Sequence, residues 1–462
     1  MSDIAERFAA ILDDAGILIG EDVSGRAVHV WDDESIQARM ILRPTTTEQV
    51  ASILKICNEA NQSVVTHGGR TGLVQSSVTD ANDVILSLER MNQIEKIDEI
   101  GRTITVQAGV LLEELQGAAE EKGLFFPVDL GARGSCQVGG NASTNAGGNR
   151  VIRFGMMRDN ILGIEAVLAD GTIISSLNTM IKNNAGYDLK QLFIGSEGTL
   201  GVVTRLVLRL REAVSEQDTA FVAFDTFDQV TGLLKYVDAA LGGTLSAFEV
   251  LWHDYYELVT TPPATNRPPV EPTRPFYALV ESLGSTGAHE NFEATMIAAL
   301  EDGLIADAAV AKSTADRAAM WAIRDDVEHF FRYGRPQIFD VSIAVRHVGA
   351  YVDEVKQRLR EQWPAHYCFT FGHIGDGNIH FAITVPDADE NIHRAVERCV
   401  YEPLQPHGGS VSAEHGIGLE KKDYLSISRG DTEIALMRRL KHALDPNGIL
   451  NPGKIFEFNG VA

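Results

Sequence analysis

The spacing of apolar residues predicts alternating helices and strands in the first half of the chain. Apolar positions recur every three or four residues between 50 and 57, which predicts a helix, and Thr45 with Glu48 has capping-box spacing at its start. Residues 63–66 form a short apolar run that is typical of a strand. A β-hairpin is predicted around the Asp170–Gly171 turn, because apolar residues flank it on both sides.

Glycine crowds three segments of this half: HGGRTGL (67–73), GGNASTNAGGN (139–149) and GSEGTLG (195–201). One such segment is most simply a loop whose glycines take positive φ angles. Three of them, mixed with Ser, Thr and Asn, indicate instead that backbone closely approaches a long cofactor held in an extended pose. None has the GxGxxG pattern before a helix, so the sequence does not support a Rossmann nucleotide domain.

The second half of the chain has a different pattern. Glycine density falls after residues 211–213, which marks a domain boundary, and residues 260–275 hold six of the 15 prolines, which predicts an exposed loop. Strands and helices then alternate, and the strands read FYALVES, FDVSIAV, HYCFTF and IHFAIT. This order predicts an α+β fold with an antiparallel sheet.

Two short motifs supply residues that suit metal chemistry. GHIGDGNIH and SAEHGIG contain His373, His380, Glu414 and His415. Two imidazoles and a carboxylate are a common ligand set for a divalent metal, and His415 beside them could act as a base. Histidines beside glycines are also common as loop residues that satisfy backbone groups. A straight strand would point the first two rings to opposite faces, so residues 374–378 must turn if both bind one ion.

Composition and charge exclude several classes of protein. The net charge of −24 and the lack of a basic patch argue against binding to nucleic acid or to an anionic membrane surface. The four cysteines have no CxxC pair, which excludes a cysteine-type zinc or cluster site and indicates reduced thiols. The sequence has no run of 18 apolar residues, so it predicts no membrane-spanning helix. The acidic start is unlike a targeting signal, and we therefore expect a cytoplasmic protein.

Six motifs, in order, carry a family resemblance: HGGRTGL, GGNASTNAGGN, GYDLKQLFIGSEGTLG, GHIGDGNIH, EHGIG and NPGK. Together they resemble the flavin-dependent D-2-hydroxyacid dehydrogenases of the vanillyl-alcohol oxidase superfamily. That group includes D-lactate dehydrogenases, the glycolate oxidase catalytic subunit and D-2-hydroxyglutarate dehydrogenase. The resemblance implies an α+β chain in four parts: an N-terminal helical segment (1–40), an FAD-binding domain of two α+β lobes (41–213), an antiparallel-sheet substrate or cap domain carrying the metal site (214–440), and a C-terminal return to the FAD domain (441–462).

The resemblance also implies which residues hold FAD. They are Gly68, Gly69, Arg70, Thr71, Gly72, Leu73, Pro127, Gly134, Ser135, Gly139, Gly140, Asn141, Ser143, Thr144, Asn145, Gly147, Gly148, Glu197, Gly198, Gly201 and Val202. Few Lys or Arg residues occur in these loops, so amide dipoles are expected to meet most of the phosphate charge. We expect FAD to be held without a covalent bond, because His67, the nearby attachment candidate, precedes the glycine pair where these dehydrogenases need no link.

The implied reaction is oxidation of a D-2-hydroxy acid to the 2-oxo acid. The metal, with zinc the favoured ion, is expected on His373, His380 and Glu414, where it would bind the substrate hydroxyl and carboxylate oxygens. His415 would contact the substrate and take the hydroxyl proton while the hydride passes to the flavin. Arg324, in MWAIRDDV, matches the family's arginine for the substrate carboxylate, although a surface helix residue paired with a neighbouring aspartate is the alternative.

One departure from the family bears on the substrate. D-2-hydroxyglutarate dehydrogenases have a Thr and a Lys where this chain has Glu328 and Ile338, the latter shortly before Asp340. Losing the Lys and gaining a Glu disfavours a second substrate carboxylate, although Arg332 or Arg335 could compensate. A monocarboxylic or otherwise atypical hydroxy acid is therefore expected.

Two other functions stay open on sequence alone. An alcohol or sugar oxidase of the same superfamily would use O₂, and a non-catalytic flavoprotein subunit would have no turnover; the intact set of His and Glu residues disfavours both. Electrons are expected to pass to an electron-transfer flavoprotein, a quinone or a cytochrome. A homodimer is expected, because most soluble oligomers are symmetric dimers.

Overall fold

The computed structural model describes residues 3–29 and 32–458. Residues 1, 2, 30, 31 and 459–462 lie outside the described part, and with them the outer ends of the predicted N-terminal and C-terminal segments. The described chain forms two compact units. Unit 1 contains the residues up to Gly148, then Gly155–Ala213, and those from Glu414 onwards; unit 2 contains Asn149–Phe154 and Val214–Ala413.

The strands of the described residues are short in the first half and longer in the second. In chain order they are β1 Ile17–Leu18, β2 Ala27–His29, β3 Asp32–Ser35, β4 Met40–Leu42, β5 Val64–His67, β6 Val84–Ser87, β7 Ile94–Asp98, β8 Thr103–Gln107, β9 Leu124–Phe125, β10 Ile161–Val167, β11 Ile173–Ser176, β12 Val202–Arg209, β13 Arg211–Glu212, β14 Glu216–Phe224, β15 Leu245–Trp252, β16 Phe276–Gly284, β17 Asp307–Val310, β18 Gln337–Ser342, β19 Tyr367–His373 and β20 Asn378–Thr384.

The helices alternate with these strands. In chain order they are α1 Asp3–Ala9, α2 Glu21–Ser24, α3 Thr47–Glu59, α4 Leu112–Glu120, α5 Val138–Thr144, α6 Val151–Phe154, α7 Met157–Asn160, α8 Lys190–Phe193, α9 Phe227–Ala240, α10 His253–Thr260, α11 Ala288–Glu301, α12 Thr314–Asp325, α13 Val348–Gln362, α14 Glu390–Tyr401, α15 Leu425–Ser428 and α16 Asp431–Leu444. A 3₁₀ helix, Val327–Tyr333, follows α12. Over the described residues, none of the helices has the length and apolar content needed to cross a membrane.

Unit 1 is built on two sheets, each with its own helices. In the first, β4, β6 and β5 pair in parallel and β1 adds antiparallel to β4. Helix α3 buries its apolar stripe, Val50, Ile53 and Leu54, in one core cluster with residues of β5 and β6. The second sheet is antiparallel, in the order β11-β10-β12-β8-β7, and α4 buries Leu112 and Leu115 in its core. The two predicted α+β lobes are confirmed.

The N-cap of α3 lies one residue beyond the predicted one. The Thr46 hydroxyl accepts a hydrogen bond from the Gln49 N–H at 3.3 Å, and Gln49 Oε1 accepts one from the Thr45 N–H at 2.7 Å. The predicted pair of Thr45 and Glu48 is therefore wrong by one position, since three successive threonines offer a cap and Gln49 serves as well as a glutamate. The helical stripe itself is confirmed, and so is the hairpin at Asp170–Gly171, where β10 and β11 pair antiparallel.

Unit 2 is built on a seven-stranded antiparallel sheet in the order β17-β14-β16-β15-β19-β20-β18. The four strands predicted from sequence are β16, β18, β19 and β20, and the antiparallel sheet is confirmed. One face of the sheet carries an aromatic core under α10 and α12. In it, the Tyr255 ring stacks on Phe371 with 4.6 Å between ring centroids. Aromatic pairs of this kind add stability beyond the area they bury.

The limits of the units differ from the predicted domain limits in three places. Asn149–Phe154 lies inside the predicted FAD-binding domain but belongs to unit 2, where the Arg150 Nε donates to Glu281 of β16 at 2.9 Å. Unit 2 ends at Ala413, before the predicted limit at residue 440. The segment predicted as helical over residues 1–40 also contains β1, β2 and β3.

Candidate functional site

Two adjoining cavities lie in unit 1, where the three glycine-rich segments meet. Their volumes, including space open to solvent, are about 720 and 920 Å³. Both are lined by His67, Gly68, Gly69, Arg70 and Gln137, so they adjoin along this loop. Two adjoining cavities suit a ligand long enough to occupy both.

The first wall of this space follows from the parallel strands. β5 ends at His67, and residues 68–72 turn across its carboxyl end, the edge at which parallel sheets bind ligands. Arg70 has a φ of +56°, in the left-handed region. A Cβ on Gly69 would lie 2.1 Å from the Ser135 carbonyl oxygen, so only glycine lets these two loops come so close.

The second wall is helix α5. No atom lies within 4 Å of the place where a Cβ on Gly140 would stand, so the backbone there is open to the cavity. The Ser143 hydroxyl donates to the Gly139 carbonyl and the Thr144 hydroxyl to the Gly140 carbonyl. Each hydroxyl has a single proton to donate, so backbone N–H groups are better placed than these hydroxyls to meet a phosphate.

Most of the predicted cofactor residues line this space. Those that do are Gly68, Gly69, Arg70, Thr71, Gly72, Ser135, Gly139, Gly140, Asn141, Ser143, Thr144, Glu197, Gly198, Gly201 and Val202. These two cavities are not lined by Leu73, Pro127, Gly134, Asn145, Gly147 and Gly148. For Gly148 one reason is visible, because it pairs with Asp129 in an isolated parallel bridge.

Sequence reasoning missed several residues that line the same space. They are Arg26, Ile36, Ile41, Thr66, His67 (considered only as a point of covalent attachment), Ser76, Ser77, Ser87, Leu88, Glu89, Ala108, Gln137, Val203 and Asn451. Some adjoin the recognised motifs, so a wider window would have found them. Asn451 lies in the NPGK motif itself: its Oδ1 accepts the Thr66 N–H at 2.8 Å, and its Nδ2 donates to the Glu197 carbonyl at 2.6 Å.

Glu197 lines the cavity, but its carboxylate binds another segment of unit 1. Oε1 accepts the Ile417 N–H at 2.7 Å, and Oε2 accepts the Gly418 N–H at 2.8 Å. Burial raises the pKa of Glu197, and these two hydrogen bonds act against that rise. Glu197 therefore anchors the segment that follows His415, a role that the motif did not indicate.

His67 is buried and lines both cavities. Its Nε2 lies 2.9 Å from the Ser77 carbonyl oxygen, which can only accept, so Nε2 carries a proton. Burial lowers the pKa of His67 to about 3, and the hydrogen bond to Ser77 opposes this effect in part. The ring is therefore neutral near pH 7.

A second polar group lies in unit 2, on the β19–β20 hairpin. β19 ends at His373, and the register pairs Phe371 with His380, so both imidazoles point to the same face of the sheet. Their ring centroids are 5.2 Å apart, and one nitrogen of each lies within 4.8 Å of the other. The predicted turn between them is confirmed.

A buried carboxylate stands opposite each of these histidines. Glu249 of β15 is the register partner of His373, and Asp340 of β18 is the partner of His380. His373 Nδ1 lies 2.7 Å from Glu249 Oε1, and His380 Nδ1 lies 4.0 Å from Asp340 Oδ1. For His373, a hydrogen bond to a carboxylate at Nδ1 is the arrangement that orients an imidazole for a metal at Nε2. Asp340 lies beyond hydrogen-bond distance of His380.

Arg324 reaches the same group from α12. Its Nε donates to Glu249 Oε2 at 2.8 Å and its Nη2 donates to His373 Nε2 at 3.1 Å. Burial acts to lower the pKa of Arg324, but the charges of Glu249 and Asp325, the Tyr255 hydroxyl and the hydrogen bond to Glu249 together outweigh it, and the pKa is raised. Burial acts to raise the pKa of Glu249, but His373 and Arg324 outweigh it and the pKa is lowered. Arg324 also contacts Asp325, yet it is buried, so a surface ion pair does not describe it.

The SAEHGIG motif crosses the limit between the two units. In unit 2, Ser412 Oγ and the Ala413 N–H both donate to Asp340 Oδ2 at 3.1 Å. Glu414 is the next residue and belongs to unit 1, where it accepts the Gly148 N–H. Glu414, the predicted third ligand, and His415, the predicted base, therefore come directly after Ala413 in the chain. Ala413 is hydrogen-bonded to Asp340, the register partner of His380.

Asn378 and Glu249 are polar residues that sequence reasoning missed. Asn378 opens β20 on the His380 face, is 3% exposed, and has no hydrogen-bond partner for either amide atom within the described chain. An unsatisfied buried amide costs about 1–3 kcal/mol, which suits a group that meets a ligand. The signal for Glu249 was a charge inside the otherwise uncharged strand LSAFEVLW.

Two family descriptions match the chain. The description "FAD binding domain" matches residues 38–176, and "FAD linked oxidases, C-terminal domain" matches residues 214–455. The chain therefore belongs to the FAD-linked oxidases of the vanillyl-alcohol oxidase superfamily. The resemblance seen in the ordered motifs is confirmed.

Named relatives cover most of the chain. A mitochondrial D-2-hydroxyglutarate dehydrogenase of Danio rerio is 40% identical over 423 residues, 91% of this chain and 79% of the relative. A D-2-hydroxyglutarate dehydrogenase of Xanthomonas citri is 38% identical over 425 residues, 90% of this chain and 89% of the relative. A Schizosaccharomyces pombe protein named provisionally as a mitochondrial D-lactate dehydrogenase is 40% identical over 430 residues, 90% of this chain and 82% of the relative.

Solved structures with low sequence identity share the fold. p-Cresol methylhydroxylase superposes with a TM-score of 0.78 at 16% identity, covering 99% of this chain and 97% of that one. Alkyldihydroxyacetonephosphate synthase gives a TM-score of 0.75 at 15% identity, with 97% and 84% covered. These likenesses confirm the predicted α+β fold class, with its large antiparallel sheet.

The residues present fit the two groups that the family implies. For FAD, the two adjoining cavities, the open backbone at Gly140 and the Arg70 guanidinium suit a long ligand that carries phosphates. For a divalent metal, His373 and His380 offer nitrogen donors with a carboxylate behind each.

Replacing Gly69 with Ala is expected to weaken FAD binding by about tenfold or more. The added Cβ would meet the Ser135 carbonyl oxygen at 2.1 Å, and relieving such overpacking costs about 1–3 kcal/mol by moving one of the two loops. Flavin absorbance per chain after dialysis measures the loss. The control is Gly117→Ala in α4, where no atom lies within 4 Å of the new Cβ. Equal flavin loss in both variants would contradict the explanation.

Heat precipitation of the wild type should release its flavin into the supernatant, because we expect no covalent bond.

Acid should destabilise the wild type more than His67→Gln. The unfolded chain takes up a proton on this histidine below about pH 6.5, whereas the folded chain resists it down to a pKa of about 3. The contribution of neutral His67 to the free energy of unfolding is therefore fully present above about pH 6.5. It falls as the pH drops, by about 2 kcal/mol at pH 5. Gln keeps a donor for the Ser77 carbonyl but does not titrate. Urea unfolding at pH 7, 6 and 5 measures the difference, and parallel pH curves would refute it.

Proposed function

We propose that the protein oxidises a D-2-hydroxy acid to the 2-oxo acid, with FAD accepting the hydride. Membership of the FAD-linked oxidases and the names of the relatives support the reaction class. One observation carries the proposal: in unit 2, two histidines backed by carboxylates lie on one sheet face with the buried guanidinium of Arg324. Such a group suits binding a hydroxy acid by its hydroxyl and its carboxylate.

The proposed metal ligands are His373, His380 and Glu414. Two imidazoles and a carboxylate favour zinc, and a metal bound there would polarise the substrate hydroxyl and lower its pKa. Support for Glu414 comes from the chain itself, because Ala413, hydrogen-bonded to Asp340, immediately precedes it. Asp340 is in turn the register partner of His380.

The proposed base is His415. A histidine is the side chain whose ordinary pKa suits accepting a proton near neutral pH. His415 stands between two anchored stretches: Ser412 and Ala413 bond to Asp340, and the residues after Gly416 bond to Glu197. Each of these hydrogen bonds restrains the backbone next to the base, and proton transfer needs a positioned base.

Arg324 is the proposed group for the substrate carboxylate. Its Nε is held by Glu249, so the plane of the guanidinium is set before any substrate binds. The contacts to Glu249, Asp325 and His373 use only part of its N–H donors. The remaining donors can meet a carboxylate, and a planar fork does so better than an ammonium group.

The proposed substrate is a monocarboxylic hydroxy acid with an apolar group. Ile338 pairs in register with Ala382. This pair lies two residues along each strand from the pair of Asp340 and His380, on the same face of the sheet. Both pack in or against the aromatic core, so this wall is apolar. Glu328 lies in the 3₁₀ helix after α12, is exposed, and adds a negative charge nearby in sequence.

Bleaching of the flavin under anaerobic conditions tests the substrate class. D-Lactate and D-2-hydroxybutyrate are expected to reduce the flavin at least about tenfold more efficiently than D-malate or D-2-hydroxyglutarate, because an apolar wall leaves a second carboxylate unpaired and desolvated. Ile338→Lys should move the preference towards the diacids, whereas Ile338→Leu should not. Diacids that bleach the wild type as well as D-lactate does would rule out this assignment.

Replacing His415 with Ala tests the reaction itself. The variant should keep its flavin and metal but reduce the flavin about 10² to 10⁴ times more slowly, the usual contribution of a general base. Stopped-flow absorbance with a saturating hydroxy acid measures the rate, and metal analysis checks loading. His393→Ala, on α14, is the control and should react at the wild-type rate. Normal reduction in His415→Ala would exclude this residue as the base.

A further inference from the structure

Glu249 links the two functional parts of the unit 2 group. It is 1% exposed and lies in the middle of β15. Oε1 accepts from His373 Nδ1 at 2.7 Å, and Oε2 accepts from Arg324 Nε at 2.8 Å. One carboxylate therefore holds both the first proposed metal ligand and the proposed substrate arginine.

These contacts determine which nitrogen of His373 carries the proton. An ionised carboxylate can only accept a hydrogen bond, so Nδ1 must donate to Glu249. A guanidinium can only donate, so Nε2, 3.1 Å from Arg324 Nη2, must offer its lone pair. His373 is thus neutral with the proton on Nδ1, and its lone pair is on Nε2, the form in which an imidazole binds a metal through that atom.

We propose that Glu249 is a positioning residue that fixes the tautomer and orientation of His373 together with the orientation of Arg324. This deepens the proposed function and rests on it. Glu249 touches neither substrate nor cofactor in this role; it acts through the two residues that it holds. The register supports this, because Glu249 stands directly opposite His373 across the β15–β19 pair.

A neighbouring carboxylate provides a matched comparison. Glu281 of β16 is also fully buried and lies on the same face of the same sheet. It accepts hydrogen bonds from side chains that are not part of the proposed site: Arg150, Gln217, Ser246 and Trp321. Replacing it should disturb the sheet as much as replacing Glu249 does, but should leave His373 and Arg324 in place.

Glu249→Gln removes one acceptor and adds a donor with almost no change in shape. The charged guanidinium is the stronger donor, so Arg324 is expected to keep the single amide oxygen. The amide NH₂ then faces the Nδ1–H of His373, donor against donor, while Arg324 Nη2 still needs a lone pair on Nε2. Neither neutral tautomer satisfies both neighbours, so His373 should lose its single Nδ1 tautomer, and the fraction with its proton on Nε2 cannot bind a metal through that atom.

The experiment has a metal-free arm and a metal arm, both on flavin-loaded protein. In the first, nitrogen NMR of ¹⁵N-histidine in chelator-treated protein reports the tautomer of His373, whose signal is assigned by its loss in His373→Gln. In the second, competition with a chromogenic chelator gives the zinc affinity. Glu249→Gln should show a mixture of the two tautomers in place of the single Nδ1 form and bind zinc about 10- to 100-fold more weakly, with its flavin retained. Glu281→Gln should match the wild type in both arms.

The outcomes separate this inference from the proposed function. A Glu249→Gln chain that keeps the Nδ1 tautomer and wild-type zinc affinity would overturn the role of Glu249, and so would an equal loss in Glu281→Gln. If the wild type has the Nδ1 tautomer and Glu249→Gln loses it, but neither protein takes up zinc, the positioning role is supported and the proposed metal chemistry is contradicted. Should Glu249→Gln fail to fold, Glu249→Asp replaces it, because the shorter side chain keeps both acceptor oxygens but cannot reach as far. A Glu249→Asp protein with the wild-type tautomer and the wild-type zinc affinity would count against the inference.

Discussion

The register of four adjacent strands is the constraint on which the unit 2 group depends. In the order β15-β19-β20-β18, it sets Glu249 opposite His373 and Asp340 opposite His380. A slip of one residue in either outer pair would turn its carboxylate to the other face and leave a histidine and a buried charge without partners. For β15 the slip would also break the buried ion pair of Glu249 with Arg324, which costs about 3–5 kcal/mol, so that register is strongly disfavoured. The same pairing that specifies the sheet therefore also builds the polar group.

The two units build their polar sites from different materials. In unit 1 many of the residues that line the ligand space are glycines, and Gly69 allows a contact between loops that no side chain would permit. In unit 2 the group consists of side chains fixed by pairing between strands. The SAEHGIG motif is held in each unit by a buried carboxylate, Asp340 before Glu414 and Glu197 after His415. Each anchor therefore restrains the stretch of backbone next to it.

The fold and the flavin loops could be predicted from sequence because their signals are local. Glycine-rich segments, the apolar stripe of α3 and the strand pattern of unit 2 each lie within a short window, and the ordered motifs identified the family. Glu249 could not be found in this way, since its importance comes from pairing with His373 across more than a hundred residues of chain. Asn378 and the carboxylate contacts of Glu197 depend likewise on long-range packing. The one-residue error at Thr46 has a smaller cause, because neighbouring threonines cap a helix almost equally well.

The geometry of unit 2 also allows substrate preference and chemistry to vary separately. Ile338 and Ala382 form a register pair next to that of Asp340 and His380 on the same face. Side chains can change at the first pair without altering the backbone hydrogen bonds that fix the second, because a sheet is held by its main chain and a substitution leaves the register intact. A residue outside the ladder, such as Arg324 on α12, lacks this independence, since its guanidinium is bonded to Glu249 and His373. If the proposed site is correct, changes in substrate size or charge are therefore easiest to accommodate at the Ile338–Ala382 pair, while Arg324 is tied to the proposed metal ligand His373 and to Glu249.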